Sequence, residues 1–255
     1  MNDAATQPEN SPAKKMQLLI FVAANNEEHQ LEKTVRALQT ECPPEHVACI
    51  VLVLASKATG GCLRTAAALQ DPSAPIPVEI FPEPSGNFTE TIKAMLRDKP
   101  AVTHVLGLAA DYFLETSQIV DLIERAAHDP DHIYKFSRAL PGGRFEPGYP
   151  FGAIPLYWLF CVFVSILYGF RITDPVFAAM VAPVSLFHRQ YRQSSILVGA
   201  EWMFTLLRMK APIVEIPAFH LERTEKKGST NIAFRLRYIG IALRTRFTKR
   251  FKDEG

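Results

Sequence analysis

Between residues 16 and 136 one unit keeps returning: a short apolar run, a polar turn, then a segment with helical spacing. Met16 to Ala24 (MQLLIFVAA) is followed by Asn25, Asn26, Glu27 and Glu28, and then by Leu31, Val35 and Leu38, which fall on one face of a helix. Ala48 to Ala55 leads to Leu63–Leu69, and Val78 to Phe81 leads to a segment carrying Ile92, Met95 and Leu96. Val105 to Leu108 leads to Ser117–Ala127, and Ile133 to Phe136 adds another run. Short runs this uniformly apolar predict strands covered on both faces. Their alternation with helices predicts a three-layer α/β domain with a mostly parallel sheet. Ligands of such sheets bind beyond the carboxyl ends of the strands.

The composition agrees. A chain of 255 residues is long enough for one large domain, or for a domain with an appendage. With 48% hydrophobic residues, 21% charged and a net charge of +2, it is neither a disordered chain nor a nucleic-acid coat. Cys42, Cys49, Cys62 and Cys161 show neither CxxC spacing nor histidine pairing, which argues for reduced thiols in a cytoplasmic setting and against zinc. Residues 1–15 are polar, lack the apolar core of a signal peptide, and read as a frayed tail.

Phe151 to Phe170 (FGAIPLYWLFCVFVSILYGF) is twenty residues without a formal charge, the length that spans a bilayer. Pro155 and Gly169 frame a helix, and Tyr157, Trp158 and Tyr168 suit a water–lipid boundary. A transmembrane helix, a helix lying in or dipping into the interface, and a core helix of the domain are all open. A single crossing would put Asp111 and the residues after Arg171 on opposite sides of the membrane, so the interfacial or re-entrant reading is favoured. From Ile232 to Phe251, apolar residues at 232, 236, 239, 243, 247 and 251 share one helix face among six basic residues. This pattern points to a membrane surface, with a solvated helix packed on the domain as the alternative.

Asp111 ends the Val105–Leu108 run. It is placed either to cap the helix starting near Thr116 or to hold a metal ion or a sugar hydroxyl. Glu201 before Trp202, and Asp174 before Pro175, have the same double reading: helix-end or turn residue, or site residue.

Taken in order, these segments resemble the family-2 glycosyltransferases, in particular the polyprenyl- and dolichyl-phosphate sugar synthases. The resemblance runs from Met16 to Ser229. The first strand ends in Ala23, Ala24, Asn25, Asn26, Glu27, Glu28, similar to the family's Pro-Ala-Tyr-Asn-Glu-Glu. Leu54, Ala55, Ser56, Lys57, Ala58, Thr59, Gly60 stand where the family has Asp-Asp-Gly-Ser-Thr-Asp-Gly, and Ala109, Ala110, Asp111 where it has Asp-Ala-Asp. Phe136-Ser137-Arg138 with Gly142-Gly143, Asp174-Pro175, Glu215-Ile216-Pro217, Arg223 and Gly228-Ser229 complete the match. Three family carboxylates are therefore replaced, at Leu54, Ala55 and Ala109.

The resemblance implies a Rossmann-like GT-A domain over residues 16–229 that includes the hydrophobic membrane-interface helix 151–170. Residues 230–255 then form a C-terminal basic amphipathic helix, after a disordered tail over 1–15. It implies an inverting glycosyltransferase at the cytoplasmic face of a membrane, peripheral or re-entrant. A sugar would pass from a nucleotide-sugar donor to a polyprenyl-phosphate or other lipid-linked acceptor, with Mg²⁺ or Mn²⁺ on Asp111. Ala23, Asn25, Glu27 and Ser56 are the expected donor-binding residues. Arg138, Arg223 and Lys227 are the expected cations for the acceptor phosphate, since guanidinium forks fit phosphate. Asp111, Asp174 and Glu201 are the expected catalytic residues, Glu201 as base should the acceptor be a hydroxyl. The missing carboxylates favour an alternative, a catalytically inactive relative that serves as a binding or scaffold module. No nucleic-acid partner is expected.

Overall fold

The computed structural model describes residues 15–55, 57–82, 88–110, 114–147, 149–177, 179–186, 198–221 and 232–247. Its elements, in chain order, are β1 (Leu18–Ala24), α1 (Glu28–Glu41), β2 (Val47–Leu54), α2 (Gly60–Leu69), β3 (Val78–Pro82), α3 (Phe88–Arg97) and β4 (His104–Ala109). There follow α4 (Thr116–His128), β5 (Ile133–Ser137), α5 (Ala153–Tyr168), β6 (Met180–Pro183), α6 (Val198–Arg208), β7 (Ile213–Pro217) and α7 (Ile232–Phe247).

The strands form one sheet in the order β3-β2-β1-β4-β6-β5-β7. All pairings are parallel except the two made by β6, which runs antiparallel between β4 and β5. Side chains alternate across β1 and its neighbours. Ile20, Val22, Ile50 and Leu52 pack under Leu31, Val35, Cys62, Leu122 and Ile123 of α1, α2 and α4. Leu19, Phe21, Val51 and Val105 pack under Ile92, Val164, Tyr168, Met203, Phe204 and Ile241 of α3, α5, α6 and α7. The expected three-layer α/β architecture is present, with the sheet mostly parallel.

The sequence reading missed β6. It is a strand of four residues inside a longer apolar stretch, with nothing in the sequence to mark its ends. That strand is held by neighbours distant in the chain, Leu106 and Tyr134, both paired with Val181. Local alternation carries no trace of such pairing.

α5 is 16 residues long, or about 24 Å at 1.5 Å per residue. That is shorter than the roughly 30 Å apolar core of a bilayer. No helix among the described residues is long and apolar enough to cross a membrane. It stops at Gly169, whose φ of +63° is the left-handed conformation glycine adopts without penalty. The N–H groups of Gly169 and Phe170 return to the carbonyls of Ile166 and Ser165. The chain then doubles back along the helix: Ile172 meets Ser165, the Cys161 thiol donates to the Thr173 carbonyl, and the Tyr157 hydroxyl donates to Asp174.

Candidate functional site

β1, β2 and β4 are neighbours, and their carboxyl ends lie together. Ala23 pairs with Val53 on one side and with Ala109 on the other, and the Ala110 N–H donates to the Ala23 carbonyl at 2.8 Å. The Asn25 carbonyl accepts from the Thr59 N–H at 2.9 Å, which ties the β1–α1 turn to the start of α2. The structure thus brings Ala23, Asn25 and Glu27 to one sheet edge. It also gives Glu27 a local task. Glu27 occupies the N-cap position of α1, and its carboxylate turns back to accept the N–H groups of Asn25 at 2.8 Å and Asn26 at 2.9 Å. Glu28 lies against Gly61, where a Cβ would meet its carboxylate. It sets an acidic group beside the first turn of α2, where the helix dipole favours one.

Leu54, Ala55 and Ala109 line this edge with carbon. Among the described residues, no three His, Cys, Asp or Glu side chains are grouped to hold a metal ion. Ser56, Asp111, Arg223 and Lys227 lie outside the described residues.

A second polar centre stands at the carboxyl ends of β5 and β7, under α5. Asp174 is fully buried and accepts from Arg138 Nε at 2.8 Å, Arg138 Nη2 at 3.1 Å, the Arg138 N–H at 3.0 Å and the Phe177 N–H at 3.1 Å. Tyr157 donates to it as well. Behind Asp174 sits Lys135, also fully buried, whose ammonium donates to the carbonyls of Asp174 at 2.6 Å and Phe136 at 2.8 Å. Lys135 stands 3.5 Å from Glu215, and Glu215 accepts from the N–H and hydroxyl of Thr173 and the N–H of Asp174. Two anions, Asp174 and the largely buried Glu215, thus balance two cations in one array, as burial of charge requires.

The charges act on one another. Burial pushes the Asp174 carboxyl up, but Arg138, Lys135 and the Tyr157 hydroxyl outweigh it and hold Asp174 below the usual carboxylate range. Burial drives Lys135 down, against the pull of Asp174 and Glu215. Burial and then Asp174 raise Tyr157, which keeps its proton for the hydrogen bond.

Arg138 belongs to the array and to the surface. Its guanidinium also lies over the rings of Phe177 (4.7 Å), Phe145 (5.2 Å) and Tyr157 (5.8 Å). It lines a pocket of about 560 Å³ whose other walls include Leu140, Gly142, Phe145, Trp158 and Arg171. Asp174, expected as a catalytic group, orients Arg138 from below and has no surface of its own. Glu201, the expected base, is buried on α6 and bonded to Arg244 of α7. Its described partner belongs to the helix layer, whereas those of Asp174 belong to β5, α5 and the turn beyond them.

Lys135, Tyr157, Thr173 and Arg171 were missed as members of this centre. The one signal for Lys135 was a lysine inside an otherwise apolar strand, Ile133–Phe136, where an ammonium must find buried partners.

The sequence matches no protein-family model and no curated protein. Solved structures do match. Glucosyl-3-phosphoglycerate synthase from Mycobacterium tuberculosis, in complex with Mn²⁺, UDP and phosphoglyceric acid, is 13% identical with a TM-score of 0.63, over 91% of this chain and 79% of that one. The same enzyme with Mn²⁺, UDP-glucose and glycerol 3-phosphate gives 13% identity and a TM-score of 0.60, over 90% and 78%. A mycobacterial protein gives 14% and 0.64, over 90% and 74%. The chain has the GT-A fold. At such identities the likeness is one of architecture.

Proposed function

We propose that the chain is a membrane-surface glycosyltransferase that passes a sugar from a nucleotide-sugar donor to a polyprenyl-phosphate or other lipid-linked acceptor. The observation that carries this is Arg138: a guanidinium fixed by a buried carboxylate at the wall of a pocket, in a GT-A scaffold, beside a helix with an exposed apolar face. In the transfer, an acceptor phosphate oxygen bonds to the anomeric carbon from the face opposite the donor. The bond from that carbon to the donor's diphosphate breaks, and the electron pair leaves with the nucleoside diphosphate. A phosphate oxyanion needs no protein base, so the enzyme's part is positioning and charge stabilisation. Arg138 orients the acceptor phosphate, with Arg223 and Lys227 as further cations, while Ala23, Asn25 and Glu27, together with Ser56, hold the donor.

A divalent ion, Mg²⁺ or Mn²⁺, would neutralise the leaving diphosphate. With Leu54, Ala55 and Ala109 in place of carboxylates, Asp111 is the acid left in these segments of the sequence to meet it. This suits an ion shared with donor phosphates, which commonly takes only one or two protein carboxylates. The replacement of carboxylates by Leu54, Ala55 and Ala109 favours a second reading, a relative that binds without catalysing.

Calorimetry with a panel of nucleotide-sugars, with and without Mn²⁺ or Mg²⁺, separates the two. Metal-dependent binding that disappears in Asp111→Ala supports the transferase. No heat with any donor at millimolar concentration leaves the binding module.

A further inference from the structure

α5 is buried on one side only. Ala153, Cys161, Val164 and Tyr168 face the domain, while Leu156, Leu159, Val162 and Ile166 are exposed, Ile166 to 77%. Leu159, Val162 and Ile166 are three and four residues apart and form one stripe along the helix. α7 repeats the pattern: Ile241, Ala242 and Thr245 are buried, while Leu236, Leu243 and Phe247 are exposed, Phe247 to 70%.

The two helices are in contact. Tyr168, on the buried side of α5, donates its hydroxyl to the carbonyl of Ala242, on the buried side of α7, at 2.8 Å. The rings of Phe160 and Tyr238 meet at 6.4 Å. Two helices in contact thus each keep an apolar stripe exposed. Exposed apolar surface on two adjoining helices marks an interaction site.

Charge selects the occupant. Neither helix contains an Asp or Glu, and α7 carries Arg235, Arg237, Arg244 and Arg246. Arg246 donates to the Leu167 carbonyl at 3.0 Å, which puts a cation between the two helices. Two copies of this face pressed together would set arginines against arginines, a costly juxtaposition. An anionic leaflet accepts both features, taking the apolar stripe into the acyl boundary and the arginines at its headgroups.

We propose that α5 and α7 form one lipid-embedding face, on which the protein lies with both helices in the plane of an anionic leaflet. The acceptor pocket opens at the edge of that face. Trp158 joins the two, since it lines the pocket with Arg138 and Arg171 and is itself 43% exposed on α5. A lipid phosphate then reaches the pocket sideways, its chain remaining along α5. This rests on the lipid-linked acceptor reading above and names the surface by which that acceptor is met.

The test uses the full chain, with vesicles of phosphatidylcholine alone or mixed with phosphatidylglycerol, and no donor or acceptor. Flotation on the mixed vesicles is expected, with Trp fluorescence shifted to the blue and quenched by brominated acyl chains. Leu159→Glu with Ile166→Glu on α5 should weaken binding about tenfold or more, and Leu243→Glu with Phe247→Glu on α7 should do the same. All four side chains point outward, and an unchanged thermal melt shows that each variant folds. Flotation indifferent to both pairs overturns the proposal. So does a dimer by analytical ultracentrifugation that these substitutions split while vesicle binding is absent, which assigns the face to a second copy. Neither result touches donor binding, so the transferase reading stands or falls separately by calorimetry.

Discussion

Asp174 grips Arg138 through both carboxylate oxygens, Oδ2 to Nε at 2.8 Å and Oδ1 to Nη2 at 3.1 Å, from a position with no exposure to solvent. The pair spans two stretches 36 residues apart in the chain, and α5 lies between them. Holding a guanidinium in this way fixes its direction before any ligand arrives, which is what pre-organised recognition of an anion requires.

Removing the carboxylate charge should cost stability in a pH-dependent manner. Asp174→Asn leaves the guanidinium of Arg138 without its anion, a loss of about 3 kcal/mol. The folded-state pKa of Asp174 is depressed, so its contribution is fully present above the ordinary carboxylate range near pH 4. It fades as the pH falls from there toward the depressed value, because the unfolded chain then binds a proton that the native one does not. Urea unfolding of wild type and variant at a series of pH values should therefore show two stability curves that converge on the acid side. Curves that stay parallel would mean that the charge of Asp174 is not what holds the pair.

Lys135 and Glu215 should behave as a unit. Lys135→Met takes the donor from the carbonyls of Asp174 and Phe136 and leaves Glu215 without its cation, a cost of about 3 kcal/mol or more. Adding Glu215→Gln to that variant removes the uncompensated charge, so the double variant should be less destabilised than the sum of the singles by roughly 1–2 kcal/mol. A double-mutant cycle by chemical denaturation reads this directly, and simple additivity would contradict the 3.5 Å ion pair.

Arg138→Lys keeps the charge but loses the fork. Lysine cannot make both contacts to Asp174 while facing the pocket, and its ammonium stacks less well over Phe145 and Phe177. Binding of a short-chain polyprenyl phosphate, followed by calorimetry, should weaken about tenfold or more, the equivalent of one charged hydrogen bond of roughly 1.5–3 kcal/mol. Affinity equal to that of wild type would place the acceptor phosphate elsewhere.

The first half of the fold was legible because its signals are local. Leu31, Val35 and Leu38 fall on the buried face of α1 as their spacing requires, and each doubly covered strand is a plain apolar run. The second half depends on long-range pairing. β6 has no alternation of its own, and the Asp174–Arg138 clamp joins a turn and a strand end that nothing in the local sequence links. The C-terminal helix shows the same limit. The stripe Leu236, Leu243, Phe247 is visible as apolar in the sequence, but nothing there marks the side carrying Ile241, Ala242 and Thr245 as the one the domain buries.

Two neighbouring glycines give the sharpest test of the pocket wall. A Cβ on Gly143 would lie 2.7 Å from the Ser137 carbonyl oxygen and 2.8 Å from that of Arg138, both backbone atoms. Gly143→Ala can be accommodated only if the turn over Leu140–Gly143 moves away from the end of β5, and β5 leads directly into Arg138. That displacement should cost about 1–3 kcal/mol, as overpacking generally does, and should weaken phosphate binding as well. Gly142 differs, because its φ of +88° is strained for any other residue, yet a Cβ there meets nothing closer than Pro217 at 3.7 Å. Gly142→Ala should therefore lose a similar 1–2 kcal/mol of stability while leaving the anion affinity near that of wild type. Thermal melts and phosphate titrations on the two variants would read both effects. Equal losses of affinity would show that the pocket responds to the turn as a whole and not to the contact between Gly143 and the end of β5.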